Sequence, residues 1–199
     1  MSINNNTSEI LIVGNGSSLL NSNLGDIIDS YTHVVRFNRF SLDSHEPNVG
    51  TKTTIWFTGV NYVNKSSTDA IRYNKIVQIY LHSWVKAEQF DIIRNVVTQS
   101  SSTCELIKVD HNIMDELCEF MQNKSYRMWS TGAIAVWILL KRFKSVDIVG
   151  FDWWEQNIRH HYMDSENFIY YPNKGHQPFL EKQFFDLLAA KKQLKYISL

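Results

Sequence analysis

Residues 11–18 read LIVGNGSS, an apolar run that ends in Gly14, Asn15, Gly16, Ser17 and Ser18. A strand that stops on small, flexible residues before a helix leaves backbone N–H groups unpaired where a phosphate could sit, near the positive end of that helix. The same residues also serve a tight strand-to-helix turn with no ligand. Leu19 stands where G-x-G-x-x-G needs its third glycine, and no G-x-x-x-x-G-K-[ST] run occurs, which disfavours a dinucleotide fold and a P-loop ATPase.

Outward from this stretch, strands are expected over 9–13, 33–37, 54–58, 75–81, 105–109 and 145–150, and helices over 24–30, 66–73, 86–98, 113–123, 131–143 and 178–194. Alternation of this kind predicts an α/β fold, a Rossmann-like, doubly wound, mostly parallel sheet flanked by helices. In such a sheet ligands bind beyond the carboxyl ends of the strands, so residues 14–18, Asn38 and Phe151 onward are expected to converge on one crevice. One domain is expected over 1–199, with 1–8 flexible. Residues 153–175 form the longest stretch without a clear period and carry Trp153, Trp154, Arg159, His160, His161, Tyr162, Tyr170 and Tyr171. They read as a binding loop that closes as a lid.

The chain has 199 residues, is 44% hydrophobic and balances 20 basic against 20 acidic residues, so it is long enough for one substantial core. Zero formal net charge gives no electrostatic case for nucleic acid as a partner. The two cysteines, Cys104 and Cys118, have no metal-like spacing and fit a reducing cytoplasm. Residues 1–9 carry no apolar signal, and the uncharged run 132–140 falls far short of the ~20 residues of a membrane span. A cytoplasmic protein with no membrane crossing is expected.

Four blocks in order give the chain a family likeness. The first comprises Ile12-Val13-Gly14-Asn15-Gly16, then Ile28-Asp29-Ser30, Val35-Arg36-Phe37-Asn38, and Val49 through Thr54. The second comprises Ser130-Thr131-Gly132 and Val146 through Phe151; the third is His161-Tyr162-Met163-Asp164; the fourth runs from His176 to Glu181. Together they resemble the large, small, third and very-small motifs of the animal-type sialyltransferases, glycosyltransferases of a family 29-like kind that use a CMP-activated sugar. The resemblance implies that fold, a GT-A variant, and a CMP-sugar donor with a glycan or lipid-linked oligosaccharide acceptor. It implies a general base at His176, a phosphate partner at His161, and donor phosphate and ribose contacts from Asn15 and Asn38. CMP contacts fall to Ser130, Thr131 and Gly132, Glu181 supports His176 or its helix, and Gly14, Gly16, Phe151, Asp152 and Tyr162 line the substrate site. Animal members join the first two motifs by a disulfide whose cysteines are missing here, since residues 10–12 and 128–129 read ILI and MW. That departure points to a compact bacterial or viral relative.

The chemistry fits these residue types. A ketose donor with its own carboxylate reacts through an oxocarbenium-like transition state, so the protein must supply a base for the acceptor hydroxyl and hydrogen-bond donors for the departing phosphate. Histidine suits both tasks near neutral pH. CMP leaves with a single phosphate, and the chain has no D-x-D segment, so neither metal nor cofactor is expected. Taken singly, each residue has a plainer reading: His160 and His161 as a solvated pair, His176 as a surface residue before a helix, Trp153 and Trp154 as packing, Asn15 as a turn former.

The last helix carries an apolar stripe of Leu180, Phe184, Leu187 and Leu188 that suits packing on the sheet, while Lys191, Lys192 and Lys195 suit a peripheral contact with an anionic membrane face. Two other functions stay open, a CMP-3-deoxy-octulosonate-dependent transferase and a nucleotide-binding protein that has lost catalysis. A serine hydrolase using Ser17 or Ser130 lacks the G-x-S-x-G elbow.

Overall fold

The computed structural model describes residues 8–59, 76–100, 103–126, 128–153, 161–164 and 176–198. The elements are β1 (Ile10–Val13), α1 (Gly25–Ser30), β2 (His33–Phe37), α2 (Glu46–Val49), β3 (Ile55–Thr58), β4 (Gln78–Leu81), α3 (Ala87–Ser100), β5 (Glu105–Lys108), α4 (Asn112–Phe120), α5 (Thr131–Leu140), β6 (Val146–Val149), α6 (Pro178–Ala190) and β7 (Leu194–Tyr196). The seven strands form one parallel sheet in the order β5-β4-β3-β2-β1-β6-β7. Chain order reverses at β1, which pairs with β2 on one side and β6 on the other. That reversal opens the crevice in which a doubly wound sheet holds its ligands.

β1 is apolar throughout because both its faces are covered. Ile10 and Ile12 join the core under α4, α5 and α6, while Leu11 and Val13 join a second core with Ile28, Val49 and Tyr162. A third core, Ile79, Leu81, Ile93 and Val97, holds α3 on β4. Within β2, Arg36 is buried; its Nε donates to Thr53 Oγ1 at 3.0 Å and its Nη2 to Val49 O at 2.5 Å. Burial pushes its pKa down to about 10. These bonds fix the end of β2, where Asn38 follows.

Differences from the expected elements have local causes. Only the single 3-10 turn Ser17–Leu19 follows β1 before α1 begins at Gly25. The last helix stops at Ala190 rather than at 194, because Lys192 takes a left-handed φ of 58° and frees Leu194 to pair with Val146 as β7. On that helix Phe185 is buried where Leu187 was expected, and Lys191 lies 4.5 Å over the Phe120 ring. The helix expected over 66–73, the terminus 1–7 and most of the expected lid fall outside the described residues. No helix of the described residues is long and apolar enough to cross a membrane.

Gly14 is required by contact. Its amide donates to Val149 O at 2.8 Å, and a Cβ there would stand 2.1 Å from Gly150 O. Since the obstacle is backbone, Gly14→Ala forces β1 from β6 and should cost about 3 kcal/mol. Thermal unfolding should show the midpoint lowered by roughly 6–12 °C; an unchanged midpoint would mean that the two loops separate freely.

Candidate functional site

Three groups of side chains meet at the carboxyl ends of the strands. The first surrounds Glu181, in the first turn of α6 and only 1% exposed. Its Oε1 accepts from Tyr126 OH at 2.8 Å and from the Ser130 amide at 2.9 Å, and lies 3.7 Å from His176 Nδ1. The Tyr126 hydroxyl in turn accepts from the Gln177 amide at 3.0 Å. His176 Nδ1 sits 3.0 Å from Met128 O, and a carbonyl only accepts, so Nδ1 carries the hydrogen and the basic lone pair of a neutral ring lies on Nε2. The hydrogen bond to Glu181 raises the His176 pKa, against burial, which lowers it.

The second group joins Asn38, at the end of β2, to the start of α5. Ser130 caps α5, its Oγ accepting from the Ala133 amide at 3.2 Å. Thr131 Oγ1 accepts from Asn38 Nδ2 at 3.4 Å and lies 2.9 Å from His82 Nε2. Asn38 is held on both backbone sides, its amide donating to Phe57 O at 2.8 Å and its carbonyl accepting from Trp56 Nε1 at 2.8 Å. Its φ of 42° is left-handed, a conformation that side-chain-bearing residues keep where the surroundings impose it. His82 is buried, which pushes its pKa down to about 4 and keeps the ring neutral.

The third group brings the turn at residues 161–164 onto the ends of β1 and β2. Tyr162 N–H donates to Asn15 O at 2.9 Å, and the Tyr162 hydroxyl donates to Ser41 O at 2.6 Å. Asn15 Nδ2 donates to Arg39 O at 3.1 Å and stands 3.5 Å from Phe37 O, so it grips the chain on either side of Asn38. Asp164 receives the His161 amide at 3.0 Å, lies 3.2 Å from His161 Nδ1 and stands 3.8 Å from Arg39 Nη2. Burial lowers the His161 pKa, Asp164 opposes that and Arg39 adds to it.

The expected site residues therefore divide. His176, Glu181 and Ser130 come together, as do Asn38 and Thr131, and as do Asn15 and His161. Others serve the frame. The amides of Gly14, Gly16 and Ser18, expected to await a phosphate, are spent on Val149 O, Gly150 O and the Asp152 carboxylate. Asp152 was expected to meet substrate, yet its carboxylate holds both Ser17 and Ser18. Tyr162 is buried with its hydroxyl on Ser41, and Phe151 packs on Phe37 and Phe185 at 6.0 and 5.2 Å between ring centres. Gly132 is where α5 meets that ring, since a Cβ there would lie 2.7 Å from Phe151 Cε1. Tyr126, Arg39 and His82 went unnoticed in the sequence. Only His82 had a usable signal, for it directly follows an expected strand at the end where ligands bind.

Comparison with known proteins bears on the family and the fold. The profile of glycosyltransferase family 29 (sialyltransferase) matches residues 3–193. An Arabidopsis thaliana protein, beta-1,6-galactosyltransferase GALT29A, is 41% identical over 54 residues, 27% of this chain and 14% of that protein. The Homo sapiens CMP-N-acetylneuraminate-beta-galactosamide-alpha-2,3-sialyltransferase 4 is 47% identical over 45 residues, 23% of this chain and 14% of that one. The matched segments thus span about one seventh of these relatives' length. A mammalian sialyltransferase crystal structure superposes with a TM-score of 0.72 at 20% identity, covering 94% of this chain and 68% of that one. A second, of a mammalian sialyltransferase with Gal-beta-1-3GalNAc-ortho-nitrophenol, gives 0.67 with the same coverage. With the profile spanning nearly the whole chain and the same sheet beneath it, the protein belongs to glycosyltransferase family 29, the sialyltransferase family.

Proposed function

We propose that the chain is an inverting, metal-independent glycosyltransferase that moves a sialic-acid-type sugar from a CMP-sugar donor to a carbohydrate hydroxyl. The observation that carries this reading is the hold on His176, with Nδ1 on Met128 O and the Glu181 carboxylate at 3.7 Å. In the reaction the acceptor oxygen bonds to the anomeric carbon as the bond from that carbon to the phosphate oxygen breaks. CMP keeps the electron pair, and the hydroxyl proton goes to His176 Nε2. The buried Glu181 charge then stabilises the imidazolium. A single displacement inverts the anomeric centre.

The departing phosphate is assigned to Asn15 and His161, brought together by the Tyr162 amide on Asn15 O. Burial favours the neutral form of His161, and an arriving phosphate supplies the negative charge that favours its protonated, donating form. Asn38 and Thr131 take the ribose side. The human relative's name includes a CMP-N-acetylneuraminate donor, which supports sialic acid as the sugar. The plant relative is named as a galactosyltransferase, so family membership leaves the donor to be settled by assay, with CMP-3-deoxy-octulosonate as the second donor to try.

The direct test incubates the purified chain with CMP-N-acetylneuraminate and lactose in excess EDTA and follows CMP release and sialylated product. Both should form; consumption of neither CMP-sugar would leave a nucleotide-binding protein. His176→Ala should keep CMP affinity near wild type and cut turnover by about 10² to 10⁴ fold. An equal loss of CMP affinity would make His176 a nucleotide contact. His161→Ala should slow turnover, and an unchanged rate would reject its role on the phosphate.

Because Glu181 raises the His176 pKa, the base becomes available only as pH rises through a value above the ordinary ~6.5. Glu181→Gln should move the acid limb of the kcat/KM profile to lower pH, and ring-proton NMR of His176 should show the same fall. A midpoint that does not move would sever Glu181 from the base. By linkage, the raised pKa lends the folded state stability that is full below about pH 6.5 and fades as pH climbs through the folded value.

A further inference from the structure

Arg39 stands two residues past the end of β2, and its side chain is 71% exposed. Its backbone is fixed, because its carbonyl accepts from Asn15 Nδ2 at 3.1 Å. Its guanidinium reaches over the turn at 161–164, with Nη2 3.8 Å from Asp164 Oδ1. Asp164 turns its other oxygen to His161, accepting from that residue's amide at 3.0 Å and lying 3.2 Å from Nδ1. Arg39 and His161 thus meet opposite oxygens of one carboxylate. Arg36, three residues earlier, is the contrast, buried and bonded to Thr53 and to Val49 O. At 3.8 Å Arg39 has an ion pair but no hydrogen bond, and among the described residues none holds its guanidinium, so its five N–H donors are open to an incoming anion.

We propose that Arg39 recognises the carboxylate of the donor sugar and so restricts the chain to CMP donors whose anomeric carbon carries that group. The inference rests on the transferase reading above and deepens it. In such a donor the carboxylate and the phosphate oxygen are attached to the same carbon, so the residue that reads the carboxylate has to stand beside the phosphate contacts. Arg39 meets this condition twice, through its carbonyl on Asn15 and through the carboxylate it shares with His161. The local charges call for a cation as well. The donor brings two anionic groups toward Asp164, and burial favours the neutral form of His161, which leaves the guanidinium to offset the repulsion. Its planar fork matches a carboxylate with two parallel hydrogen bonds. Leaving Asp164 for the ligand costs little, since an exposed pair at that distance is weak. CMP-3-deoxy-octulosonate carries the same carboxylate, so the requirement holds for either donor sugar.

The test titrates the purified chain in EDTA with CMP-3-fluoro-N-acetylneuraminate, a slow-reacting donor analogue, and with the methyl phosphodiester of CMP, which has the same phosphate charge and no carboxylate. Arg39→Ala should weaken the analogue about tenfold, the scale of a charge-assisted pair in a partly exposed position, and the methyl diester less than about twofold. Arg39→Lys should recover part of the loss on the analogue, since it keeps the charge and gives up the two-pronged fit. Equal losses on both ligands would make Arg39 a phosphate contact or a support of the turn and overturn the proposal, and so would an analogue bound as well by Arg39→Ala as by the wild type. A wild type that binds neither CMP nor the analogue fails the transferase reading itself, a different result from either of these.

Discussion

A buried carboxylate organises one half of the crevice. Taking Glu181 out of water is costly unless hydrogen bonds replace its hydration. Two hydrogen bonds replace it, from the Tyr126 hydroxyl and from the Ser130 amide at the start of α5, and His176 ahead of α6 stands 3.7 Å away. Satisfying one charge therefore fixes the mutual position of two helices and the segment between residues 126 and 130. The same charge raises the basicity of His176, whose tautomer is set by the Met128 carbonyl, so structural and chemical roles meet at one group. In the proposed reaction Glu181 is consequently a positioning residue, while the proton-accepting atom belongs to His176.

The other half of the crevice is held by the sheet. Reversal of strand order at β1 brings the loops after β1 and β6 into contact, and that contact is backbone against backbone, with Gly14 on Val149 and Gly16 on Gly150. The expected phosphate cradle is consumed in making this joint. What remains for a ligand comes from side chains around it: Asn15, Asn38 and the docked turn carrying His161. The short path from Asn38 through Thr131 to His82 joins this donor side to the region beyond β4.

Much of this was legible in the sequence where a residue type had a single strong physical preference. The unbroken apolar run of β1 and the largely apolar runs of β2 and β6, interrupted by Arg36 and Asp147, announced strands, and Thr131 through Leu140 announced a helix buried in the core. The family likeness set Asn15 and His161 on one ligand group, while the link from Ser130 through Glu181 to His176 was not foreseen. Other features depend on tertiary choices that local pattern does not encode. The turn at Lys192 that ends α6 and releases β7 is one. Whether Asp152 and Tyr162 face a ligand or a neighbouring loop is another, since the same polar groups satisfy either, and here Ser17, Ser18 and Ser41 claim them. His82 escaped notice although it follows an expected strand at the ligand-binding end, because no spacing to another candidate residue singled it out.

Isothermal titration of the purified chain in EDTA against CMP, UMP, GDP and AMP tests the proposed CMP site with no assumption about acceptor or sugar. Saturable binding of CMP in clear preference to the other three is the predicted result. No CMP binding, or UMP bound equally well, would contradict it and leave the family relationship as one of fold and descent alone.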